Sequence, residues 1–137
     1  MRFYIGYKFT NVADKENLKA RVLKIAYYIN SKGHETFVLG RDVQNWHSSP
    51  FPMIKTLPPV FTNMLKANIL LSVISDNSRS VGLLVENVLA MLFFKKRYYL
   101  VKSGVGENLY TFFANVDNIV YYMTDADIES SIQKLLD

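Results

Sequence analysis

The chain predicts an α/β fold, a single domain over residues 1–137 built on a doubly wound, five-stranded parallel sheet with helices on both faces. Short β-branched and aromatic runs alternate five times with helix-spaced segments, the pattern of right-handed βαβ crossovers. The third run, Ile69-Leu70-Leu71-Ser72-Val73-Ile74, is almost continuously apolar, as a central parallel strand buried on both faces requires. Neither an internal repeat nor a linker interrupts the 137 residues, a length that suits one domain with a sizeable core.

Phe3 to Gly6 reads as the first strand, ending at glycine. Lys15 to Ser31 places Leu18, Val22, Ile25, Ala26 and Ile29 at three- and four-residue spacing, an amphipathic helix stopped by Gly33. Glu35 to Leu39 is the second strand, and Gly40 to Lys55 is a long irregular segment of the kind compact domains keep for function. A short helix from Leu57 to Ala67 is introduced by Pro58-Pro59. The third strand follows, then a helix over Val81 to Phe94 and a fourth strand over Tyr98 to Val101. Glu107 to Ala114 suits a short helix, Asn118 to Tyr122 a fifth strand, and Asp125 to Leu136 a terminal helix capped by Thr124. Strands in the flavodoxin-like order 2-1-3-4-5 open a crevice between the first and third.

Composition narrows the classes of function. Half the residues are hydrophobic, against disorder, and no apolar run approaches the roughly 20 residues of a membrane span. The start, Met1-Arg2-Phe3-Tyr4-Ile5-Gly6, lacks the pattern of a signal peptide. Cysteine is absent, so there is no thiolate nucleophile, disulfide or sulfur-ligated metal. A cytoplasmic location fits. His34 and His47 lack partners at metal spacing, so neither a metal nor a redox cofactor is expected. The net charge of +4 is spread out, without the basic, aromatic-interleaved stripe of a nucleic-acid surface, and favours a phosphorylated small ligand over a neutral one. Lys95-Lys96-Arg97 reads as a solvated helix end, where cations suit the macrodipole.

One carboxylate stands out. Between Gly82 and Phe94 the only polar side chains are Glu86 and Asn87, and glutamates are seldom buried without a partner or a task. Glu86 comes one to two turns into a helix, just past the carboxyl end of the third strand, where open α/β sheets bind ligands. So apolar a helix is covered on both sides, by the sheet and by a ligand or second subunit. With Phe112-Phe113, it points to a homodimer or larger homo-oligomer.

A first strand ending in glycine, the Gly33-His34 pair before the second, and Ser80-x-Gly82-x-x-x-Glu86 after the third together resemble the nucleoside 2-deoxyribosyltransferases. Within that family they are nearest the 2′-deoxynucleoside 5′-monophosphate N-glycosidases. The resemblance spans about the first hundred residues, with Ala90 and Lys95 as weaker matches. It implies that Glu86 is the nucleophile, attacking the anomeric carbon to give a glycosyl-enzyme ester. Ser80, at a position that is aspartate in the transferases and serine in the monophosphate hydrolases, implies a 5′-phosphate held by its hydroxyl, the Gly82 amide and the helix N-terminus.

The same resemblance makes Gly6, Tyr7 and Lys8 a sugar- and phosphate-facing turn. Tyr7 or Tyr4 is then the tyrosine that orients Glu86, and Lys8 either a phosphate partner or a solvent-exposed lysine. Trp46 falls in the segment that covers the base and suits stacking. His47 suits protonation of the leaving base, or is a bystander. Ser78 belongs to the binding loop, and Asn108 falls near a phosphate site completed by a neighbouring subunit. The family's aspartate in the helix before the third strand is missing from Phe61-Thr62-Asn63-Met64, and its aspartate opening that strand is Asn68. Its Glu-Leu-Gly is Glu86-Asn87-Val88, and its Gly-Lys-Pro is Phe94-Lys95-Lys96. Loss of an acid would remove help worth typically about 10²- to 10⁴-fold. Asp76 is a substitute, or a turn residue making local hydrogen bonds. The expected activity is therefore cleavage or transfer of an N-glycosidic bond on a nucleoside or its 5′-monophosphate. The alternatives are a non-catalytic nucleotide-binding protein on this scaffold and a NAD-cleaving glycohydrolase.

Overall fold

The structure is a computed structural model, described for residues 1–8, 14–44, 46, 53–77, 80–105 and 117–137. Strand β1 (Arg2–Tyr7) leads to helix α1 (Lys15–Ser31) and β2 (Glu35–Val38). Helix α2 (Met53–Lys66), β3 (Ile69–Ile74), α3 (Val81–Leu92) and β4 (Lys96–Lys102) follow, and the chain closes with β5 (Asn118–Tyr122) and α4 (Ile128–Leu136). The five strands form one sheet in the order β2-β1-β3-β4-β5. Every pairing is parallel, with Tyr4 beside Leu70 and Gly6 beside Ser72. The predicted fold and strand order are those observed.

Two apolar layers sandwich the sheet because side chains alternate along each strand. Phe3, Ile5, Leu71, Val73 and Leu100 pack against the α1 stripe and against Ile128, Ile132 and Leu135 of α4. On the opposite face Tyr4 and Leu70 meet Val60 and Met64 of α2 and Ala90 of α3. All six residues of β3 are buried, as its apolar run requires. Helix α1 starts where the Asp14 carboxylate accepts the Asn17 amide at 3.0 Å. It gives way at Gly33, whose φ of +88° suits glycine.

Four features differ from expectation. Helix α2 begins at Met53 and carries Pro58 and Pro59 inside it; packing of Val60 and Met64 onto the sheet outweighs the lost helix bonds. Part of the segment read as irregular, Gly40–Gln44, forms one wide turn of π-helix. Strand β4 starts at Lys96, so the basic cluster is not a solvated helix end: Arg97 is buried. Arg97 alternates with Tyr99 and Val101 onto the covered face, whereas Lys95 donates to the Leu65 carbonyl at 2.8 Å, capping α2. The terminal helix opens as a 3-10 turn, Asp125–Asp127, with a Thr124–Asp127 capping box. The expected helix at Glu107 to Ala114 lies outside the described residues apart from its surroundings in sequence. No described helix is long and apolar enough to cross a membrane.

Candidate active site

The parallel order sends the connections after β1 and β3 to opposite faces of the sheet, so the carboxyl ends of these adjacent strands form its topological switch point. Helix α3 starts at its rim. The Ser80 side chain accepts the Leu83 amide at 3.3 Å as N-cap, leaving the preceding first-turn amides without helical partners. Gly82 is exposed, and a Cβ there would meet only the Ser80 hydroxyl, at 3.7 Å.

Helical spacing then turns Leu83, Glu86, Asn87 and Ala90 toward the sheet. Glu86 is only 7 % exposed, and its carboxylate lies on the backbone of β1. A Cβ on Gly6 would come 3.3 Å from the Glu86 carboxylate oxygen and 2.7 Å from a Leu83 methyl. Glycine is therefore what allows the carboxylate to reach the strand. Among the described residues no cation pairs with Glu86. Burial pushes its carboxyl up to about 8, and the Tyr4 hydroxyl offsets part of that rise. Tyr4 is fully buried and its hydroxyl makes no hydrogen bond of ordinary geometry among the described residues. Burial foremost, and then the facing Glu86 carboxylate, hold its phenol well above the usual tyrosine range. The two groups therefore influence each other's ionisation.

Tyr7 takes the other side of β1. Its hydroxyl accepts the Gly40 amide at 3.0 Å, and its ring packs beside Trp46 with centroids 6.0 Å apart. Burial raises its phenol, the Gly40 amide lowers it, and Glu86 and Asp42 add smaller upward pushes. Alternation thus makes Tyr4, not Tyr7, the tyrosine facing Glu86. Gly40 has no room for a Cβ, because the Tyr7 hydroxyl and Trp46 ring occupy that space. Trp46 has a φ of 59°, donates its amide to the Gly40 carbonyl at 2.8 Å and lies under the Lys19 ammonium at 5.7 Å. It packs on the α1 side of the sheet, while Glu86 lies on the α3 side.

The rim carries charge as well. Lys8 reaches from the end of β1 to Asp76 beyond β3, 3.3 Å away, so each of these two candidates has the other as a partner. Gly6, Tyr7, Lys8, Asp76, Ser80, Gly82 and Glu86 all fall at the carboxyl ends of β1 and β3 or on the first two turns of α3. His47, Ser78 and Asn108 lie outside the described residues. No group of three metal-ligating side chains occurs among the described residues.

No protein-family model matches the chain, and no curated protein matches it by sequence. Solved structures do match. One is the CMP N-glycosidase BcmB of Clostridium botulinum, with a TM-score of 0.69 and 15% identity, covering 98% of this chain and 99% of that one. The solution structure of BlsM matches with a TM-score of 0.73 and 21% identity, over 99% and 91% of the two chains. A 2-deoxyribosyltransferase from the psychrotolerant bacterium Bacillus psychrosaccharolyticus matches with a TM-score of 0.61 and 19% identity, over 94% and 90%. The shared property is the fold.

Two substitutions singled out in the sequence sit at the opposite end of the sheet. The Asn68 side chain accepts the Arg2 amide at 2.8 Å. Asn63 accepts from the Arg2 guanidinium at 2.9 Å and donates to the Pro59 carbonyl at 2.8 Å. Both fasten the amino-terminal end of β1 and are remote from Glu86. Sequence reasoning missed a buried polar cluster under α3, comprising Ser72, Asn87, Arg97 and Tyr99. The signal available was the alternation of Arg97 and Tyr99 along β4, together with an asparagine on the inner face of an otherwise apolar helix.

Proposed function

We propose that the protein belongs with the nucleoside 2-deoxyribosyltransferase-like enzymes and cleaves or transfers the N-glycosidic bond of a nucleoside or its 5′-monophosphate. The observation that carries the reading is Glu86, buried against Gly6 at the carboxyl end of the sheet, beside the buried Tyr4 hydroxyl and, among the described residues, without a cationic partner. A structural glutamate in such a place would be paired or replaced by an apolar residue. The likeness in fold to a CMP N-glycosidase and a 2-deoxyribosyltransferase supports the same chemistry.

In this mechanism the ionised Glu86 attacks the anomeric carbon as the carbon–nitrogen bond breaks, and the base leaves with the bonding pair. Tyr4 donates to the non-attacking carboxylate oxygen and holds the other toward the sugar. Water or a second base then attacks the same carbon and frees Glu86. The Ser80 hydroxyl, the Gly82 amide and the positive end of α3 receive the 5′-phosphate. Lys8 adds a cation there, and Asp76 keeps it in place. The outer faces of α2 and α3 seat a second copy of the chain.

Chromatography of released base from a panel of nucleosides, 5′-monophosphates including CMP, and NAD tests this. Base release from at least one monophosphate is expected, reduced by about a thousandfold or more in Glu86→Gln. Because attack needs the ionised carboxylate, kcat/KM rises with pH up to about 8. Wild type and Glu86→Gln that bind a mononucleotide but are equally inert would make the protein a binder. Release of nicotinamide alone would make it a NAD glycohydrolase.

A further inference from the structure

Next to Glu86, helix α3 carries a second buried polar residue that the chemistry above does not use. Asn87 is 3 % exposed. Its amide nitrogen donates to the Ser72 hydroxyl of β3 at 3.1 Å and to the Leu83 carbonyl at 2.9 Å. Its amide oxygen accepts from Arg97 Nε at 3.2 Å and from the Tyr99 hydroxyl at 3.3 Å, both on β4. Arg97 also donates to the Tyr99 hydroxyl at 3.2 Å. Both donors and both lone pairs of the amide are thereby engaged.

The geometry is that of a lever. Successive helix residues point about 100° apart, so Glu86 and Asn87 straddle the line along which α3 touches the sheet. Glu86 leans to β1 and Asn87 to β4, two strand spacings or about 10 Å apart. The remaining inward residues, Leu83 and Ala90, are apolar, and apolar contacts fix the rotation of a helix only loosely. A fully bonded buried amide fixes one setting, as a single buried asparagine fixes register in coiled coils.

We infer that Asn87, through Ser72, Arg97 and Tyr99, is the positioning residue that holds α3 in the rotation that keeps the Glu86 carboxylate on Gly6 and Tyr4. Its activity consequence rests on the function proposed above; its structural consequence does not. The network anchors on the side of α3 away from the reacting carboxylate, so it touches no substrate and acts only through the helix.

Asn87→Leu alone takes a hydrogen-bond acceptor from the buried Arg97 guanidinium, so the informative variant is Asn87→Leu/Arg97→Met, which replaces both ends of that contact by apolar volume and is expected to fold. Carboxyl-carbon NMR follows the Glu86 titration, and steady-state kinetics on the monophosphate cleaved by wild type follows turnover. The double variant is expected to keep a cooperative thermal transition. Its Glu86 midpoint moves down by at least about one pH unit as the carboxylate gains solvent, and kcat falls at least about tenfold while KM changes by less than about threefold. A folded double variant with wild-type Glu86 midpoint and kcat overturns the inference. Should the double variant not fold, Tyr99→Phe deletes one hydroxyl and no charge. A lowered Glu86 midpoint in it supports positioning, and an unchanged one overturns it. If wild type cleaves no glycoside, the proposed function fails on its own, and the NMR midpoints still decide the role of Asn87.

Discussion

Glycines 6 and 82 show how differently two residues of one type serve a site. Gly6 is held by contact: its missing Cβ is the space in which the Glu86 carboxylate and a Leu83 methyl lie. Gly82 faces solvent in the first turn of α3, with ordinary contact distance to its nearest neighbour. Gly6→Ala is therefore expected to destabilise by about 1–3 kcal/mol through overpacking and to abolish turnover by displacing the carboxylate. Gly82→Ala is expected to be neutral or to stabilise by about 0.5–1 kcal/mol through helix propensity. If the proposed function holds, its cost falls on the affinity for a 5′-monophosphate, because the new methyl stands at the amide proposed to receive the phosphate. Urea unfolding of both variants checks the contrast, and equal destabilisation would sink the assigned packing. Both glycines were visible in the sequence; only the coordinates separate the one with a side chain against it from the one facing solvent.

Helix α3 was expected to be covered on both sides; among the described residues only its inner face is covered. Inward it presents Leu83, Glu86, Asn87 and Ala90; outward, Val81 and Leu92 are 64% and 57% exposed, and Phe94 just beyond is 95% exposed. Leu57, Phe61 and Leu65 of α2 are exposed alongside, and Phe61 meets Phe93 edge to face at 5.0 Å. Phe94 also adopts a φ of 56° at the end of α3, a setting glycine takes more readily. We propose that this exposed apolar face is an interface with a second copy of the chain. Light scattering after size exclusion is expected to give at least twice the 15.8 kDa chain mass, and Leu92→Asp/Phe94→Asp is expected to return the single-chain mass. A wild type that runs as the single chain at micromolar concentration would remove the dimer proposal. The strands and α1 were legible because their periods are local. The start of α2 was not, since prolines argue locally for a boundary that tertiary packing overrides.

Across the whole molecule, the buried carboxyl links the site to stability. The Glu86 midpoint of about 8 lies above the ordinary glutamate value of 4.5. Between those values the folded protein holds a proton the unfolded chain has released, so this contribution favours the native state at low pH. It is lost as pH rises from about 4.5 through about 8. Glu86→Gln, which stays neutral throughout, is expected to lie within about 1 kcal/mol of wild type near pH 5 and to exceed it increasingly toward pH 9, by up to about 5 kcal/mol. Thermal or urea unfolding at the two pH values reads the difference. A constant offset between the proteins would show that Glu86 ionises as freely folded as unfolded.

The sequence by itself determined the strand order, the switch point between β1 and β3, and the singular glutamate at the second turn of α3, because these follow from periods and connection rules carried in neighbouring residues. Tertiary structure alone decided that Tyr4 and not Tyr7 faces that glutamate, that Arg97 is buried beside Asn87, and that Asn63 and Asn68 fasten the far end of the sheet. Desolvation and partner choice are properties of surfaces brought together from β1, α3 and β4, and residues distant along the chain carry no local mark of which neighbours they will meet.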